Sequence, residues 1–195
     1  MKYNTENIRR QDRVMEESRA RELLTEAEYV VMSMTDANGL PYGIPVNMVF
    51  DSPDHAYIHC APEGKKLRAV ALHPDVSVCI VGHVNLLPSK FTTEYESVVL
   101  QGKAHIITDD TERRHAIELI LHKYSPNDIE RGWFYANKSL PRTAIIRIDF
   151  TEFSGKNKKH ARLIQKLTET GSEWTSKGVI ASGLTTIDNE KDGQS

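Results

Sequence analysis

The segment best equipped for chemistry is His59-Cys60-Ala61-Pro62-Glu63-Gly64-Lys65-Lys66. It follows the short apolar run Ala56-Tyr57-Ile58 and precedes the helix-like Leu67-Arg68-Ala69-Val70. A strand ends, a turn carries one Pro and one Gly, and two lysines stand where a helix begins. This arrangement suits an anion, because lysines bring positive charge and the first N–H groups of a helix have no internal partner. The spacing is neither a Walker A loop nor a Gly-x-Gly-x-x-Gly fingerprint. The plainer reading of Lys65 and Lys66 is two solvated side chains on a surface helix.

His59 is suited to proton transfer near neutral pH, or it only donates a hydrogen bond. Alternation places Tyr57 and His59 on one strand face and Ile58 and Cys60 on the other. Cys60 then reads as a small buried residue rather than a nucleophile. Cys60 and Cys79 fit no metal spacing, and a reduced, cytoplasmic protein is expected. His83, His105, His115 and His122 share no metal spacing either, so no metal is assigned.

The elements that must position these residues follow from periodicity. Ala20, Leu23, Leu24 and Ala27 predict an amphipathic helix over 16–27. Residues 29–35 read as a strand, 36–39 as a turn and 40–50 as a second strand, a hairpin. A third strand covers 55–60 and a short helix runs to about His73. The nearly all-apolar run 76–81 predicts a strand buried on both faces. Residues 83–94, with Pro88, read as a long loop of the kind that is often functional. A strand follows over 95–108, apolar at Val98, Leu100, Ala104 and Ile106 and wet on its odd positions. Asp109-Asp110 caps a helix with the stripe Ile117, Ile120, Leu121 and Tyr124. Residues 127–140 are mixed, and Arg142 to Phe153 forms a last strand, with Ile145 out of phase. Residues 1–15 read as a loose polar arm, and the final ~20 residues as a helix fragment and disordered tail.

The chain has 195 residues, 39% apolar and 27% charged, enough for one domain with a real core and extra terminal material. A net charge of -2 speaks against nucleic acid as a partner. No run approaches the ~20 apolar residues of a membrane span, and the N-terminus lacks a signal-peptide apolar stretch. Six strands dominated by antiparallel hairpins favour a small barrel over a parallel sheet.

Several segments together resemble a known family. They are the hairpin Asp36-Ala37-Asn38-Gly39-Leu40-Pro41-Tyr42-Gly43-Ile44-Pro45-Val46-Asn47, the run from Tyr57 to Leu67, and the run from Lys90 to Ala104. In that order they resemble the flavin-binding split-barrel superfamily that includes pyridoxamine 5'-phosphate oxidase. Within it they look most like the nitroimidazole-resistance (Nim) group. The similarity covers roughly residues 8–157. It implies a mainly β protein with flanking helices, a six-stranded antiparallel split β-barrel of the FMN-binding type. The expected division is an N-terminal arm (1–15), the FMN-binding barrel (16–157) and a polar C-terminal extension (158–195).

The resemblance also implies a homodimer that holds FMN, or FAD, in a cleft between two barrels. Lys65 and Lys66 match positions that hold the flavin phosphate. Pro45, Val46 and Asn47 lie on the strand that passes the isoalloxazine edge. His59, Cys60 and Ala61 lead into the phosphate turn, and Tyr95, Glu96 and Ser97 lie on a neighbouring strand. A histidine matching His59 lies near the flavin in the Nim group, which makes His59 the catalytic candidate. Asn47 either meets the flavin or is an exposed outer-face residue. Trp133, Phe134 and Tyr135 either cover the flavin or form satellite core. Substrate-phosphate residues of the true oxidase have no clear counterpart here. The implied activity is reduction of a nitroaromatic or similar small electrophile, with NAD(P)H or another carrier as donor. Alternatives are a flavin binder without turnover and a haem-binding split barrel.

Overall fold

The computed structural model describes residues 1–159 and the short pairs 174–175 and 178–179. Two compact units divide the chain, residues 1–158 and 159–195. In the second unit, β9 (Trp174–Thr175) and β10 (Gly178–Val179) form an antiparallel pair. The sequence expectation for the last ~20 residues lies outside the described residues.

The first unit is an eight-stranded sheet with four helices. Its elements are β1 (Lys2–Tyr3), α1 (Glu17–Glu26), β2 (Val30–Thr35), β3 (Pro41–Val46), β4 (Val49–Asp51), β5 (His55–Cys60), α2 (Lys65–Leu72), β6 (Asp75–Leu87), β7 (Thr92–Ile107), α3 (Asp110–Tyr124), α4 (Ile129–Ser139) and β8 (Ala144–Lys158). The strand order is β3-β2-β6-β7-β8-β5-β4, with β1 parallel to β8 and every other pair antiparallel. The two ends of this order, β3 and β4, are separated in sequence only by Asn47 and Met48. The sheet therefore returns on itself as a split barrel, of the class expected but with two more strands, β1 and the short β4.

Alternation builds the core. Val30, Met32 and Met34 of β2, Val76, Val78 and Ile80 of β6, and Val98, Leu100 and Ala104 of β7 face one interior with Leu23 and Leu24 of α1. A second cluster under α3 gathers Val49, Tyr57, Ile107, Ala116, Ile117, Ile120 and Ile145. Two cores explain two departures from simple period-two reading. Ile145 and Ile146 are both fully buried because β8 has a core on each face there. Ile106 is exposed and Ile107 buried, because the end of β7 feeds the α3 cluster instead. At the head of α3, the Asp109 carboxylate accepts the Glu112 N–H at 2.8 Å, a cap worth about 1 kcal/mol.

Four expectations are corrected. Residues 83–94 are not a loop: β6 runs to Leu87, a 3-10 turn spans Pro88–Lys90, and β7 starts at Thr92. Pro88 belongs to this hairpin turn, where no ladder donor is missed. The strand predicted over 40–50 breaks at Asn47-Met48, where the chain leaves β2 and joins β5. Residues 127–140 contain α4, which rests on α3 through Trp133 and Ala136 while Phe134 and Tyr135 stay exposed. Residues 1–15 are no loose arm, since β1 pairs with β8 and both Ile8 and Met15 are buried.

The outer face of β6 departs as well. The apolar run 76–81 is buried on one face only. Cys79 is half-buried and Val81 is 59% exposed. Across the ladder Val31, Cys79 and Val99 form one row, and Ser33, Ser77 and Gln101 the next. At one end of this face Asn4, Asn7 and Ile8 of the N-terminal segment border Val99 and Gln101.

Candidate functional site

The expected turn between strand and helix is present. β5 ends at Cys60, and Gly64 precedes α2 with φ +155°, a conformation that side-chain-bearing residues rarely adopt. No side chain caps α2, so its first N–H groups stay available to a ligand. A Cβ built on Gly64 would meet nothing within 4 Å, so the turn is open space.

The two lysines separate. Lys65 Nζ lies 2.9 Å from the Asp36 carboxylate and 4.3 Å from the centre of the Tyr42 ring. Asp36 also accepts the N–H groups of Asn38 at 2.9 Å and Leu40 at 3.0 Å. Lys65, followed by these N–H donors, holds the Asp36 carboxyl below its ordinary range. Lys66 lies close enough to His59 and Cys60 for its charge to act on both. His59 is exposed at the end of β5, yet desolvation by the surrounding chain, then the charge of Lys66, pushes its imidazole below its usual value. Burial pushes the Cys60 thiol up, against the opposing pull of Lys66. Both groups are thus kept neutral, and of the two candidate phosphate lysines Lys65 already carries a carboxylate partner while its side chain stays 50% exposed.

Lys65 on Tyr42 fastens the start of α2 to the start of β3. From there β3 runs Tyr42-Gly43-Ile44-Pro45-Val46, a ledge of roughly 13 Å at about 3.3 Å per residue. Pro45 is exposed and Val46 half-buried. Asn47 is not on a strand. It sits in the β3–β4 connection, exposed, and its Nδ2 donates to the Glu28 carbonyl at 3.0 Å. Ala61 is exposed at the mouth of the turn.

Tyr95, Glu96 and Ser97 do not join this group within one chain, because β2 and β6 separate β7 from β3. Glu96 is buried and paired with Arg19 at 2.9 Å. Arg19 in turn reaches Glu22 and Glu26 at 2.9 and 3.0 Å. Glu96 is therefore a fastening point for α1 rather than an open ligand-facing group. Tyr95 and Ser97 are half-buried.

Residues that sequence reasoning missed lie at both ends of the ledge. Asp36 and Tyr42 hold Lys65, and Lys123 and Tyr124 hold Met48. Asp36 in an Asp-x-x-Gly turn carried a local signal, but its partner is remote in sequence. Among the described residues no set of three His, Cys, Asp or Glu side chains forms a metal site. Among them, too, no helix is long and apolar enough to cross a membrane.

A sheet that closes through a two-residue break, with an uncapped helix N-terminus at one end of its edge strand, defines a split-barrel protein with an anion-receptive turn. The family model described as pyridoxamine 5'-phosphate oxidase matches residues 16–157, and the chain belongs to that family. Solved structures share the fold. A protein described as a 5-nitroimidazole antibiotic resistance protein, from Bacteroides thetaiotaomicron, is 22% identical with a TM-score of 0.63, covering 74% of this chain and 86% of its own. An FAD-binding protein from Mesorhizobium loti is 21% identical with a TM-score of 0.56, covering 75% and 98%. An FAD and heme binding protein from Mycobacterium smegmatis is 19% identical with a TM-score of 0.59, covering 90% and 89%. No curated protein matches the chain.

Proposed function

We propose that this protein is a flavin-dependent oxidoreductase that binds FMN, or the FMN half of FAD, and reduces a nitroaromatic or similar small electrophile. One observation carries the reading. The uncapped α2 N-terminus, with Lys66 close to His59 and Cys60, lies at one end of the open β3 ledge. That pairing offers a phosphate site followed by a strand edge for a flat ring system. The names of the FAD-binding and nitroimidazole-resistance neighbours agree with it.

Flavin, when bound, supplies the electron-transfer chemistry. The chain's own residues bind, orient and shield. Lys66 and the α2 N–H groups hold the phosphate, the backbone of Pro45 and Val46 borders the ring, and His59 takes or gives a proton at its imidazole. No nicotinamide fingerprint is present in the sequence, so NAD(P)H as donor would dock transiently over the ring.

A two-fold homodimer completes the site in this reading. The rows Val31-Cys79-Val99 and Ser33-Ser77-Gln101, bordered by Asn4, Asn7 and Ile8 at the Val99 and Gln101 end, would supply a face for the second copy and bring Tyr95 and Ser97 toward the ledge.

The test is an absorption spectrum of the purified protein after addition of FMN and desalting, with mass by light scattering. Retained flavin bands on a dimer, followed by turnover with NADH or NADPH and a nitroaromatic, support the proposal. A Soret band with no flavin bands would overturn it in favour of haem. Retained flavin without turnover would leave a binding module.

A further inference from the structure

The break between β3 and β4 is built by two side chains from the far end of α3. At Val46 the chain stops pairing with β2, and at Val49 it starts pairing with β5. Met48 falls between, is only 1% exposed, and lacks a ladder partner there. A buried peptide needs its N–H and C=O satisfied. Tyr124 does both: its Oη accepts the Met48 N–H at 3.0 Å and donates to the Met48 carbonyl at 2.9 Å. Lys123 Nζ donates to the same carbonyl at 2.9 Å.

The lysine is the more telling of the two. A hydroxyl alone would satisfy this carbonyl, yet a half-buried ammonium is added. Burial pushes its pKa down, and among the described residues no carboxylate offsets that cost. Asn47 next to it is held by the Glu28 carbonyl, which accepts from its Nδ2 at 3.0 Å. The segment Val46-Asn47-Met48 is thus pinned from behind, and its forward edge ends the ledge.

We propose that Lys123 and Tyr124 are positioning residues that set the Val46–Met48 backbone against the flavin ring, with Lys123 placing a positive charge behind that edge. This inference rests on the flavin reading. Reduced flavin carries more negative charge than oxidised flavin, so a cation behind the ring edge favours the reduced form.

The experiment uses the full chain and titrates FMN, oxidised and then dithionite-reduced under anaerobic conditions, into wild type, Tyr124→Phe, Lys123→Met and Lys123→Arg. Circular dichroism and melting verify each fold. Tyr124→Phe is expected to weaken oxidised FMN binding roughly threefold to tenfold. Lys123→Met is expected to weaken reduced FMN more than oxidised, by a further threefold to tenfold or so, and Lys123→Arg to restore the ratio to within about twofold. If Tyr124→Phe does not fold, the Lys123 pair decides alone. Equal weakening of both oxidation states by Lys123→Met, or no weakening by any variant, would overturn the inference while the flavin reading stands. Failure of wild type to bind FMN in either state would overturn both.

Discussion

Lys65 and Asp36 form an ion pair, 2.9 Å between Nζ and the carboxylate, that ties the first turn of α2 to the β2–β3 hairpin. The Asp36 side chain is only 5% exposed and receives two backbone N–H groups as well. Lys65 thus helps to shape the turn, and in the proposed reading Lys66 is the lysine that meets the phosphate.

The first prediction follows from that division. Lys66→Ala should weaken flavin binding by at least about tenfold, since one charge-assisted contact contributes roughly 1.5–3 kcal/mol. Lys65→Ala should act mainly on the turn and cost flavin affinity less. The double variant should lose at least about a hundredfold. Titration by flavin fluorescence checks the order, and a larger single effect at Lys65 would reverse the assignment.

Asp36 predicts a pH dependence. Its folded pKa is lowered by Lys65, so the stability it contributes is fully present above the unfolded carboxylate value of about 3.9. That contribution is lost as pH falls through the lowered folded value. Asp36→Asn should melt lower than wild type at pH 7, and the gap should close under acid conditions. Melting curves between pH 7 and pH 2 test this, and a gap independent of pH would count against it.

His59, though exposed, should be neutral at pH 7, because partial desolvation and the charge of Lys66 both push its imidazole pKa down. Lys66→Ala removes a positive charge and should raise that pKa toward the usual value. An NMR titration of the ring protons reads it directly. If His59 then serves as proton donor or acceptor, His59→Ala should cut turnover per bound flavin by about 10²–10⁴. An unchanged rate per flavin would leave His59 as a binding residue.

Gly102 predicts a packing cost. It sits at the irregularity between Gln101 and Gly102 on β7, and an added Cβ would lie 2.3 Å from the Asp149 carbonyl oxygen. Backbone must move, so Gly102→Ala should destabilise by about 1–3 kcal/mol. Urea denaturation measures it.

Much of the scaffold was legible because its strands are half-buried and alternate. The helix at α1, the hairpin turn at 36–39 and the cap at Asp109 all follow from local signals that tertiary contacts reinforced. Errors arose where one strand serves two cores, as at Ile106 and Ile145, and where a strand changes partners, as at Asn47-Met48. Pro88 and polar neighbours disguised a hairpin turn as a long loop. At the site, the His59–Lys66 turn was visible from residue types alone. The separation of Lys65 from Lys66 was not, since Asp36 lies 29 positions away and nothing in either neighbourhood names the other. The sequence marks Tyr124 only as the end of a helix stripe and Lys123 not at all, because their partner is a backbone carbonyl, which sequence does not label.

The place of β8 between β7 and β5 has a consequence for synthesis. β5 ends at Cys60, yet its only long-strand partner begins at Ala144. On a ribosome adding about 5–20 residues per second, that partner emerges roughly 4–17 s later. Through that interval β5 presents an unpaired edge beside Ala56 and Ile58, a surface prone to wrong pairing. The nascent chain is therefore most in need of a chaperone in the window between α2 and β8, and a stall placed there should lower soluble yield more than one placed after Lys158.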